Sequence, residues 1–136
     1  MEEQNRDRTE EKITIELQWN RCGEEKWCNL FTLNLGYPTL DELRGVYIIF
    51  SEAQSENERH KTIAIGKGIV AYEIRKKRAD ARIKTFPALR VTWADVRRRD
   101  VDGVERYLIH TLKPIVSQTV DDGGLIQVNL PFGAQG

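Results

Sequence analysis

Gly45-Val46-Tyr47-Ile48-Ile49-Phe50 and Thr62-Ile63-Ala64-Ile65-Gly66 are the two stretches that decide the fold. Each is a run of β-branched and aromatic residues, the composition that suits a pleated and buried surface, and each is bounded by glycine. Both are expected to be strands. Between them Ser51 to Lys61 (SEAQSENERHK) is polar throughout, too long for a tight turn and ordinary for a hairpin loop.

Working outward, residues Ile69 to Ala81 show helical spacing, with Val70, Ala71 and Ile74 as the apolar stripe and a largely basic remaining face. Leu89-Arg90-Val91-Thr92-Trp93 alternates as a third strand. A second helix is predicted from Val101 to about Leu112, where Val104, Leu108 and Leu112 recur every four residues. Lys113-Pro114 ends it, because proline disfavours helix in the residue before it. Asp121-Asp122-Gly123-Gly124 reads as a turn and Ile126 to Leu130 as an extended segment.

On the N-terminal side, Trp19 to Asp41 carries scattered apolar residues and a Gly36-Tyr37-Pro38 turn signal, which predicts an irregular arm packed on the domain. Ile13 to Leu17 alternates like a short strand, and residues 1–12 form a polar leader expected to be disordered. The expected architecture is α+β. A single domain spans 13–136, with a small, mainly antiparallel sheet of about three strands flanked by helices and an irregular N-terminal arm.

The chain has 136 residues, 40% hydrophobic and 31% charged, within the range of an ordinary globular domain. No apolar run approaches a membrane span, and no secretory leader is visible, so a cytoplasmic location without a membrane partner is expected. In that compartment Cys22 and Cys28 would stay thiols, and neither His60 nor His110 has ligand spacing to them. Net charge is zero, but it is unevenly spread. Between Lys67 and Arg99, the cations Lys67, Arg75, Lys76, Lys77, Arg78, Arg82, Lys84, Arg90 and Arg97 to Arg99 stand against only Glu73, Asp80 and Asp95. Such a polarised basic face is the footprint of a nucleic-acid binder, with solvated helix faces as the alternative.

Several short segments, in this order, resemble the GIY-YIG endonuclease family. Gly45-Val46-Tyr47 matches the first motif, and Ala64-Ile65-Gly66 the second without its tyrosine. Gly66-Lys67-Gly68 continues as in many small bacterial members. Asp102-Gly103-Val104-Glu105-Arg106-Tyr107-Leu108 resembles the helix carrying the family glutamate, and Val128-Asn129-Leu130-Pro131 the closing segment carrying its asparagine. The resemblance implies that Glu105 holds a divalent ion, Mg²⁺ or Mn²⁺, that Tyr47 activates or orients water, and that Asn129 helps position the scissile phosphate. Phosphodiester hydrolysis needs such a set: a Lewis acid, an in-line deprotonated water, and cations where negative charge accumulates. Read without the motifs, Glu105 is a solvated helix residue, Tyr47 a packing residue and Asn129 a strand-end residue. His110 lies off the Glu105 face and reads as a surface histidine.

Two positions depart from the family pattern. Ala64 stands where the second tyrosine would be, and Glu73 falls in the register of the catalytic arginine. Loss of one such charge stabiliser typically costs about 10²–10³ in rate. Lys67, Arg75, Lys77 and Arg78 are the candidate phosphate-binding cations, and Lys77 is spaced to pair with Glu73 across one helical turn. The expectation is a nuclease-like fold with an impaired or lost phosphodiesterase site, acting as a nucleic-acid-binding module, DNA before RNA, or as a protein-partner module. The alternatives are an active metal-dependent endonuclease with a relocated cation, and an assembly subunit joined through the apolar arm around Trp27 to Leu35.

Overall fold

The computed structural model of the chain describes residues 14–36, 38–116 and 123–132, with the side chains of Pro38 and Thr39 excepted. The leader 1–12, Ile13, Tyr37 of the expected turn, and Asp121 and Asp122 lie outside the described residues. The described elements run β1 (Cys28–Asn29), α1 (Pro38–Asp41), β2 (Arg44–Ser51), β3 (Lys61–Ile69), α2 (Val70–Arg78), α3 (Ala81–Lys84), β4 (Leu89–Asp95) and α4 (Val101–Leu112). The fold is α+β.

The strands form one antiparallel sheet in the order β1-β4-β2-β3. Its count is four where about three were expected. The added strand comes from the arm, whose Cys28 and Asn29 pair with Val91 and Arg90 of β4. A short pairing of this kind leaves no alternating run in the sequence, so nothing distinguished it from irregular chain. The central strand β2 is buried on both faces from Gly45 to Phe50, which is why its sequence is continuously apolar rather than alternating.

Those two faces make two cores. Tyr47, Ile49, Ile63, Val91 and Trp93 pack beneath Val70, Ala71 and Ile74 of α2, Ile83 of α3, and Leu30, Leu35 and Leu40 of the arm. Val46, Ile48, Phe50 and Ile65 pack on the opposite side with Val104, Leu108 and Ile109 of α4. A register shift between Ile49 and Phe50 inserts Ile63 as an extra residue in β3, so Ile63 and Ala64 both serve the α2 face.

The predicted helix 69–81 is divided in two. It ends at Arg78, and Asp80 caps a new turn by accepting a hydrogen bond from the Arg82 amide at 2.9 Å. The helix ending before Pro114 is as expected, with Lys113 in the left-handed conformation at φ 50°. Ile15, Leu17 and Trp19 alternate inward against the α4 core, and Ile15 bridges Val128 in parallel. Gly103 makes room for that C-terminal segment, since a Cβ there would meet the Ile126 side chain at 2.6 Å.

The cysteines depart from expectation. Cys22 and Cys28 form a disulfide, with Cα atoms 4.9 Å apart. The Gly23–Lys26 hairpin turns the chain back and brings the two together. No helix among the described residues is long and apolar enough to cross a membrane.

Candidate functional site

Four of the residues singled out by sequence, Tyr47, Lys67, Glu73 and Glu105, meet at the exposed edge of the sheet, where β3 carries Gly66, Lys67 and Gly68. Gly66 pairs with Tyr47 across the ladder, and the Tyr47 ring lies directly over it. A side chain at 66 would occupy the space of the phenol, so glycine is required there by close approach. Tyr47 is 1% exposed, and its hydroxyl donates to Glu73 Oε1 at 3.5 Å. Glu73 sits in the first turn of α2 and packs over Gly68, whose φ of +127° suits glycine.

Burial first, and then the negative charges of Glu73 and Glu105, push the Tyr47 phenol far above its ordinary value. Tyr47 is thus a neutral donor at physiological pH. A phenolate here would be a buried anion facing two carboxylates.

Glu105 approaches the same edge from the other face of the sheet, on α4. It is 6% exposed rather than solvated, so the ordinary reading of a surface glutamate does not hold. Its Oε1 lies 3.2 Å from Lys67 Nζ, and the same ammonium donates to Asp102 Oδ1 at 2.7 Å. The bond to Asp102 foremost, and the bond to Glu105 after it, hold the lysine above its usual pKa. Lys67 is therefore a fixed cation beside Glu105.

That donor set bears on the divalent ion implied by the family resemblance. Among the described residues, no group of three or more His, Cys, Asp or Glu side chains is arranged to hold a metal. What stands at Glu105 is a buried carboxylate bridged to an ammonium, chemistry that suits a neutralised ion pair better than a divalent centre.

The other predicted residues go elsewhere. Asn129 is not at the sheet edge but clips the two terminal segments together. Its Oδ1 accepts from the Leu17 amide at 2.6 Å, and its Nδ2 donates to the Leu17 carbonyl at 3.0 Å. Arg78 is committed to the arm, donating to the Leu30 and Leu33 carbonyls at 2.7 and 2.6 Å. Ala64 is buried in the α2-side core. The turn-to-turn pairing with Glu73 is made by Lys76 at 3.6 Å, three residues on, rather than by Lys77. Arg75 and Lys77 make no salt bridge among the described residues, and Arg75 is exposed.

Much of the remaining basic run is internally paired: Arg82 with Asp80, Arg90 with Glu52, and Arg97 with Asp100. Sequence reading missed Asp102 as a partner of Lys67, and it missed that Glu73 accepts the hydrogen bond of the Tyr47 hydroxyl. The spacing Gly66-x-Gly68 was the available signal, since two side-chain-free positions on an edge strand mark a place where other groups come close. It also missed the aromatic cluster of Trp27, Phe50, His60 and Phe132. Those rings absorb Trp27, and Leu30 and Leu35 are buried in the chain's own core, which leaves Phe31 as the exposed large apolar residue among the described residues of the arm.

No protein-family model, no curated protein and no solved structure matches this chain. What it does must be read from its own residues.

Proposed function

We propose that this chain is a GIY-YIG-like domain with an impaired phosphodiesterase site that acts as a nucleic-acid-binding module, with DNA the preferred partner. The observation that supports this is the state of the sheet edge. The phenol that would handle water is held protonated against Glu73, and Glu105 is already neutralised by Lys67. Glu73 stands in the register of the family's catalytic arginine, so a carboxylate takes the place of the cation that would stabilise charge building on a phosphate. Beside this edge α2 presents Arg75 and Lys76 to solvent, suited to backbone phosphates.

The test is incubation of the protein and Glu105→Ala with labelled plasmid, single-stranded DNA and RNA, in Mg²⁺, Mn²⁺ or chelator. No cleavage under any condition, with salt-dependent binding that Arg75→Glu and Lys76→Glu weaken, is the expected result. Metal-dependent cleavage abolished by Glu105→Ala would replace this proposal with an active endonuclease in which Lys67 supplies the missing cation.

A further inference from the structure

Helix α2 carries an exposed stripe that combines an aromatic ring with two cations. Positions 72, 75, 76 and 79 lie three or four residues apart, so Tyr72, Arg75, Lys76 and Ala79 share one face. All four are exposed. Tyr72 is 56% exposed, more than the other large apolar side chains left on the surface. Val70, Ala71 and Ile74 already supply the helix's packing face, so the tyrosine contributes nothing to the core.

A single exposed aromatic is ordinary. Here the ring has a cationic setting. Lys76 Nζ lies over one face of the ring, 5.1 Å from its centroid, and the same ammonium reaches Glu73 Oε2 at 3.6 Å, which leaves the opposite face for a ligand. Arg75 stands one turn from the tyrosine and makes no salt bridge among the described residues. An accessible π-face flanked by cations matches the two halves of an unpaired nucleotide. The base has a flat face that stacks, and the backbone carries the charge. A duplex offers the charge alone, because its bases are already stacked.

We infer that Tyr72 is a stacking platform for an unpaired base, which makes single-stranded nucleic acid the substrate class of the α2 face. The inference rests on the nucleic-acid-binding proposal and narrows it. A strand laid along α2 sets one base on Tyr72 while Arg75 and Lys76 take the adjoining phosphates. Ala79, one turn further along the same face, leaves room for the backbone to continue.

The test is fluorescence anisotropy with a short labelled DNA strand, its RNA counterpart, and the corresponding DNA duplex, each at two salt concentrations. Wild type is compared with Tyr72→Ala, Tyr72→Trp and Arg75→Glu. The expected result is that Tyr72→Ala weakens single-strand binding by roughly 5- to 100-fold with the salt slope unchanged. Tyr72→Trp retains binding, and duplex binding is little affected by either change. Loss with both DNA and RNA strands supports stacking that ignores the sugar, and loss with one strand supports stacking restricted to that nucleic acid.

Unchanged single-strand affinity in Tyr72→Ala, while Arg75→Glu still weakens binding, overturns the stacking role and leaves the broader proposal standing. Absence of salt-dependent binding to all three probes by the wild type overturns both. Because Tyr72 is exposed and unpacked, Tyr72→Ala is expected to fold normally, and retention by Tyr72→Trp separates a stacking role from local damage.

Discussion

The Tyr47 hydroxyl donates to Glu73 Oε1 at 3.5 Å across the bare backbone of Gly66. A β2 side chain and an α2 side chain thereby meet at the sheet edge, and neither alone would be noteworthy. The pairing exists because β3 offers no side chain to separate them. It also shapes the electrostatics of the edge, adding to the burial that keeps the phenol neutral.

Gly66→Ala should be the most disruptive single methyl at this edge. The new Cβ would fall on the Tyr47 phenol, whose ring is fully buried below and cannot retreat into the core. Overpacking of this kind costs about 1–3 kcal/mol. Chemical denaturation would show it as a lower midpoint. An unchanged midpoint would mean that the ring swings outward freely, and that the contact with Glu73 is not a fixed feature.

Asn129→Ala tests whether that asparagine is a clip or part of the edge site. It exchanges two hydrogen bonds with the Leu17 backbone, so its removal should cost about 1–2 kcal/mol. Hydrogen exchange at the Leu17 amide should accelerate in the variant. Altered nucleic-acid affinity with full Leu17 protection would instead argue that Asn129 acts on a ligand.

Arg78→Lys should destabilise the protein although charge is conserved. The guanidinium serves two carbonyls at once, Leu30 and Leu33, and an ammonium lacks that fork. A loss of about 1–2 kcal/mol is expected, with little change in nucleic-acid affinity. Arg75→Ala should behave oppositely, with stability held within about 0.5 kcal/mol and affinity reduced. Parallel denaturation and binding curves for the two variants would check the division of roles.

His60 gives stability a dependence on acid. Its Nδ1 accepts from the Ala53 amide at 3.0 Å, and its ring packs among Trp27, Phe50 and Phe132. Burial lowers its pKa below 6.5, partly opposed by Glu52. The folded state thus binds fewer protons than the unfolded state, so stability is present above that value and is lost as pH falls through it. Protonation also removes the lone pair that holds Ala53. Thermal unfolding between about pH 7.5 and pH 5.5 should decline more steeply in wild type than in His60→Phe. Parallel slopes would show that His60 does not couple to folding.

Composition and periodicity were enough for the order of β2, β3, α2, β4 and α4, because each of these elements advertises its own burial. The continuous apolar run of β2 requires both faces covered, the 3.6-residue spacing of α4 requires one, and Pro114 ends α4 locally. The basic bias of α2 was equally plain in the sequence. All of these are properties of neighbours along the chain.

What only the tertiary structure decided are relations between distant residues, which leave no periodic trace. Asn129 and Leu17 are 112 positions apart, and nothing in either segment foretells the clip. Arg78 looks like one more surface cation until the arm brings the Leu30 and Leu33 carbonyls to it. Cys22 and Cys28 meet because a hairpin turns between them. Glu105 became a buried carboxylate rather than a solvated one, and its cation, Lys67, reaches it from a different element at the exposed sheet edge. Burying a charge is costly unless a partner arrives with it, and which partner arrives is settled by packing.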